Sequence, residues 1–123
     1  MILDLFQRRM DLVDLVSRIA PSIVMEGTLH NEDVDGFLRA TRGDKFLFGP
    51  EVTTYLGDTY KRLTELHAYE NVMERAQGEQ RKQLGEKCLA IRNELSRFHV
   101  TFHALVTPYV RMNQKLRWID QYL

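Results

Sequence analysis

Asn31, Asp33 and Asp35 place oxygens at positions 1, 3 and 5 of a calcium-binding loop, with Gly36 at position 6 and Leu38 at position 8. Position 12 of such a loop supplies a bidentate carboxylate. Here it is Arg42, a cation where the ion needs its strongest anion. Asn31 therefore reads as the N-cap of a helix whose first turn is acidic. His99 and His103 stand at i and i+4, a spacing that can present two imidazoles to one metal ion. Val100, Thr101 and Phe102 between them lack the Glu of a metalloprotease helix. A third ligand would have to come from His67, His30 or a carboxylate on another helix. The pair is expected as partly buried side chains with backbone partners, and no metal is assigned.

Cys88 is the one cysteine of the chain. It lies eleven residues from His99, roughly 16 Å of helix, too far to share an ion. A catalytic thiol needs an adjacent His and a positive environment, and the spacing supplies neither. Cys88 is expected to pack as a small hydrophobe opposite Glu70, with Lys87 close enough to neutralise that carboxylate. No nucleophile, base and orienting group meet in the helical register. The chain is therefore read as a non-enzyme, with no catalytic and no cofactor-binding residue and no cofactor. A last candidate is Arg111, Lys115, Trp118 and Tyr122, which share one face of a terminal helix. Such a face can stack on and pair with single-stranded nucleic acid. With one Trp and few bases, it reads instead as a possible protein interface built on aromatic and Arg anchors.

The elements that must position these residues are helices. A chain of 123 residues fits one domain, residues 1–123, with 44% hydrophobic and 28% charged residues, values of a globular protein. Lys plus Arg equal Asp plus Glu at 17 each, so overall charge does not favour nucleic acid or an anionic membrane. Residues 79–123 nevertheless carry 8 bases and 4 acids, which suits self-association or an acidic partner. The longest stretch free of charged residues, Phe98 to Val110, is too short to cross a bilayer and contains Pro108. With no signal peptide pattern and a lone cysteine, the expected address is the cytoplasm.

Periodicity is helical almost throughout. The first helix is expected over about 3–20, with Leu5, Leu12, Val16 and Ile19 inward and a break or kink at Pro21. A second is expected over 31–42. Pro50 starts a third, and Val52, Leu56, Thr59, Leu63, Leu66, Glu70 and Met73 repeat at spacings of four and three. The same alternation runs through Leu84, Cys88, Ile91, Leu95, Phe98, Phe102 and Leu105. Folding back at Gly78-Glu79 pairs Met73 with Leu84, Leu66 with Ile91, Leu63 with Leu95, Leu56 with Phe102 and Val52 with Leu105. An antiparallel hairpin of residues 50–77 and 80–106 follows, with Thr107-Pro108 opening a last helix over 108–122. The expected fold is an all-α helical bundle of about five helices built on that hairpin.

Several segments carry a family resemblance. They are Leu5-Phe6-Gln7-Arg8-Arg9, Gly36-Phe37-Leu38-Arg39-Ala40-Thr41-Arg42, and Phe46-Leu47-Phe48-Gly49-Pro50-Glu51-Val52 with Tyr55-Leu56 and Tyr60-Lys61-Arg62. Together they resemble a family of small uncharacterised bacterial helical proteins, over about residues 3–112. The FLFGPE-type junction is the most specific part. Many of those proteins look like a membrane anchor followed by a cytosolic helical domain. This chain departs by lacking an anchor and by carrying Pro21. The resemblance implies a fold and membrane proximity, and no catalytic residues. The functional expectation is a non-enzymatic helical interaction domain that binds a protein partner or itself as a homo-oligomer. The alternatives are a small helical inhibitor or accessory factor of a mobile element, or a weak nucleic-acid binder. No small-molecule substrate is evident.

Overall fold

Pro50 begins the pairing on which the architecture is built. Gly49 is the N-cap residue of α3 (Pro50–Met73), with φ −72° and ψ 173°, and Pro50 takes the first helical position, where its missing N–H costs nothing. The computed structural model describes the backbone of residues 2–25, 31–42 and 47–122, and the side chains of residues 4–18, 31–42 and 47–111. Within that range the chain is all-α. The other elements are α1 (Ile2–Met25), α2 (Asn31–Thr41), α4 (Gly78–Leu95) and α5 (Phe98–Tyr122).

The expected antiparallel seam is present. Val52, Leu56, Thr59, Leu63, Leu66 and Glu70 of α3 are all buried, as are Cys88, Ile91, Leu95, Phe98 and Phe102 of the returning arm; at its end Val106 is buried in place of the expected Leu105, which is only partly buried. Contacts along the seam fix its register. Lys87 Nζ lies 5.5 Å from the centre of the Tyr69 ring, Arg62 Nε is 2.9 Å from Glu94, and Tyr55 stacks on Phe98 at 5.6 Å. The first two pairs sit within a turn of the layers expected from spacing, and Tyr55–Phe98 lies just over a turn away. The reversal closes on Gly78, whose φ of +64° is a left-handed conformation that side-chain-bearing residues resist.

Boundaries along this arm differ from those expected. α3 stops at Met73, and the chain tightens through Val72–Ala76 with bonds from Arg75 N–H to Val72 O (3.1 Å) and from Ala76 N–H to Met73 O (3.2 Å). The return arm is interrupted at Ser96-Arg97 instead of at Thr107-Pro108. Ser96 keeps right-handed helical angles, so α4 and α5 follow each other along α3 as one arm. Counted by arms, four run through the bundle, not five. The Ser96 hydroxyl donates to Asn93 O at 2.6 Å and competes with the regular ladder there.

Pro108 instead lies inside α5, as Pro21 lies inside α1, so neither breaks its helix. A proline inside a helix interrupts one backbone bond, and packing of the flanking turns can hold the helix across it. Thr107 is correspondingly not an N-cap. Its hydroxyl donates back to His103 O at 2.5 Å, as threonines do inside helices.

α1 packs along α5, and α2 bridges α1 and α3. Leu12, Val13 and Val16 of α1 are buried, with Leu5 and Phe6 half-buried; the side chains of Ile19 and Ala20 lie outside the described residues. α2 contributes Val34, Phe37 and Thr41, and Phe37 meets Phe98 edge-on at 6.0 Å. Among the described residues no helix is long and apolar enough to cross a membrane.

Two substitutions in the seam separate packing from propensity. Leu95 is 5% exposed at its centre, so Leu95→Ala should cost about 2–5 kcal/mol through the cavity it leaves. Gly57 is exposed in the middle of α3, and a Cβ there would meet open space. Gly57→Ala should add about 0.5–1 kcal/mol by removing backbone freedom from the unfolded chain. Denaturant unfolding of both variants checks the signs.

Candidate interaction surface

The junction before α3 ties three helices together. Arg9 of α1 donates from Nε to the Leu47 carbonyl at 2.5 Å, across 38 residues of sequence. Its guanidinium lies 5.8 Å from the Phe48 ring centre and 5.3 Å from that of Tyr109, a cation held between two π faces. Those two rings meet edge-on at 5.5 Å. The Tyr109 hydroxyl of α5 donates to Glu51 Oε1 in the first turn of α3. Glu51 is thereby held below its ordinary pKa, first by this hydrogen bond and then by its own backbone N–H. Tyr109 is pushed up by the same bond. Gly49 leaves the room, since a Cβ there would run into the Tyr109 hydroxyl oxygen and crowd the Glu51 carboxylate. The Phe-Gly-Pro-Glu run thus works as a structural lock.

A shallow groove runs beside this lock. Its wider end, about 540 Å³, is lined by Pro50, Glu51 of the lock, Thr54, Tyr55, Asp58, Thr101 and Leu105. Its narrower end, about 230 Å³, continues past Tyr55 and Asp58 to Arg62, Glu94, Leu95 and Phe98. Among the described residues every lining residue comes from α3, α4 or α5, and none from α1 or α2. The floor is aromatic and aliphatic. Burial raises the Tyr55 pKa, outweighing the hydroxyls of Thr101 and Thr59 that pull it down. The rim is charged, with exposed Asp58 where the two parts join and Arg62 shared between Glu65 (3.2 Å) and Glu94 (2.9 Å) at the narrower end.

The residues singled out by spacing fall in several places. Asn31, Asp33 and Asp35 lie within the regular helix α2, so the calcium loop does not form. Glu70 is buried in the seam as expected, but its partner is Arg92, not Lys87. Arg92 reaches Glu70 Oε1 from the next turn, while Lys87 turns to the Tyr69 ring. Burial and then the Glu70 charge push the Cys88 thiol up, which disfavours the nucleophilic thiolate. His99 and His103 are both exposed, contrary to the partial burial expected. Arg111 is exposed on α5; the side chains of Lys115, Trp118 and Tyr122 lie outside the described residues. Spacing gave no sign of the groove, although the recurrence of Tyr55, Asp58, Arg62 and Glu65 on one side of α3 foreshadows it.

Exposed apolar residues elsewhere are isolated. Leu89 (60% exposed) and Val100 (73%) are separated by Asn93 and Ser96 on one outward stripe, about 16 Å apart. Scattered residues of this kind are ordinary surface.

No family model, no curated protein and no solved structure matches the chain.

The lock makes a pH-dependent and residue-specific claim. The contribution of Glu51, whose folded pKa is lowered, is present above its unfolded pKa of about 4.3 and lost as pH falls through the folded value. That of Tyr109, whose folded pKa is raised, is present below about pH 10 and lost as pH rises through the folded value. Tyr109→Phe should therefore lower Tm most between those limits and flatten the profile at both ends. Gly49→Ala should lower Tm in the parent and much less in the Tyr109→Phe background, a coupling that a double-mutant cycle measures.

Proposed function

We propose that the chain is a non-enzymatic helical interaction module that binds a protein partner or a second copy of itself. The observation that carries this reading is the groove on the hairpin face, lined among the described residues by α3, α4 and α5 alone. Its aromatic floor between two helices and its mixed-charge rim suit an amphipathic helix laid into the groove. Tyr55, with its ring stacked on Phe98 and one edge open, is the anchor type that dominates interfaces. The resemblance to small bacterial helical proteins, many with a membrane anchor, supports the same reading. It places such a module near a membrane and its neighbours. Arg111, Lys115, Trp118 and Tyr122 on the last helix remain the second candidate contact of the same module.

A photo-crosslinking side chain at the exposed groove position Thr54 tests the proposal in cells that express the chain. A control carries the same group at Asn93, on the outward side of α4. The expected result is one adduct, with another copy or one partner protein, formed from position 54 and reduced by Asp58→Arg. A chain that sediments as a monomer at all concentrations and gives no adduct from position 54 beyond the control would sink it.

A further inference from the structure

We infer that His99 and His103 form a surface site for a divalent transition-metal ion of the imidazole-preferring class, such as zinc. One turn of α5 sets the two side chains on one face, and both are exposed, so binding needs no opening of the core. Their ring centroids are 4.4 Å apart and the planes are inclined by 54°. An ion bonded at about 2.0–2.1 Å to one nitrogen of each ring lies about 3.2 Å from each centroid. Ligand angles of about 90–110° then separate the centroids by about 4.5–5.2 Å. The observed separation reaches that range with a small turn of either exposed ring.

The surroundings suit the same ion. Ser17 Oγ of α1 lies 3.5 Å from His103 Nε2. An outside partner on one ring nitrogen orients metal-binding histidines and selects their tautomer. Among the described residues no group of three or more His, Cys, Asp or Glu gathers around one point. Two protein donors therefore leave the remaining positions to water or to donors of another molecule, the pattern of an exchangeable site. With no carboxylate in the pair, calcium and magnesium are poorly matched. Thr101, midway between the histidines, lines the groove, and residues two apart on a helix point to nearly opposite sides. The metal site and the docking groove are thus separate claims.

Zinc titrated into the full chain at about pH 7.5 provides the test, read by calorimetry and thermal unfolding. The expected result is one ion per chain and a Tm raised by excess zinc. Both effects should be lost in His99→Gln and in His103→Gln and kept in His67→Gln. In the unmutated chain, the imidazole proton resonances of residues 99 and 103 should shift on zinc addition while that of His67 stays in place. This readout holds even if a variant folds poorly. Absence of saturable binding, or zinc binding of equal strength in both pair variants, overturns the site.

Discussion

The rest of the structure depends on the antiparallel seam between α3 and the α4–α5 arm. A seven-residue repeat on both arms lets side chains interdigitate at a shallow crossing, and each layer buries a pair from distant parts of the chain. Hydrophobic layers alone tolerate a slip by one repeat, since every layer resembles the next. Glu70 and Arg92 remove that freedom. A buried carboxylate that loses its guanidinium partner is far costlier than a misplaced leucine, so the slipped register is penalised at this one layer. Burial and then the Glu70 charge raise the Cys88 pKa, against the opposing pull of Arg92, and keep the thiol in its neutral form.

Upon that seam, the junction lock decides where α1 goes. Arg9 bonds to a loop carbonyl, faces two aromatic rings, and thereby joins the first helix to the start of the third and the middle of the fifth. Tyr109 and Glu51 close the same connection from the other side of the hairpin. Gly49 and Pro50 answer two local demands at once. The glycine leaves space for the phenol, and the proline starts α3 at a point where its missing N–H is harmless. With α1 and α2 held at this side, no described residue of either helix lines the groove on the hairpin.

Local signals in the sequence carried the elements far. Asn31 and its two acids fall in the first turn of α2, with Asn31 as first helical residue and not as N-cap, while Pro50 opens α3 and Gly78 the reversal, each satisfying a backbone need there. The spacing of four and three carried the hairpin register for the same reason. Prolines 21 and 108 misled, because whether a helix survives a lost bond depends on packing contributed by other segments. Ser96 concealed the true interruption, since no Gly or Pro stands there. Arg92 in place of Lys87, and the ties from Arg9 to Leu47 and from Tyr109 to Glu51, depend on side-chain reach across 22, 38 and 58 residues. One-dimensional periodicity has no access to such distances. The exposure of His99 and His103 was illegible likewise, since it depends on how much of α5 the first helix covers.

The two surfaces left open follow from a single allocation of helix faces. α5 gives its inward stripe to α3, shares one flank with α1 through His103 and Ser17, and presents Thr101 and Leu105 on the other flank to the groove. A helix has a circumference of only 3.6 residues per turn, so three such demands exhaust it and fix which residues face solvent. Along α3 the same division puts Tyr55, Asp58 and Arg62 beside the groove while Leu56, Leu63 and Leu66 stay in the seam. Substitutions in the groove or at the histidine pair can therefore change binding while the seam keeps its packing. That separation is the property an interaction module needs if its surface is to vary without loss of its fold.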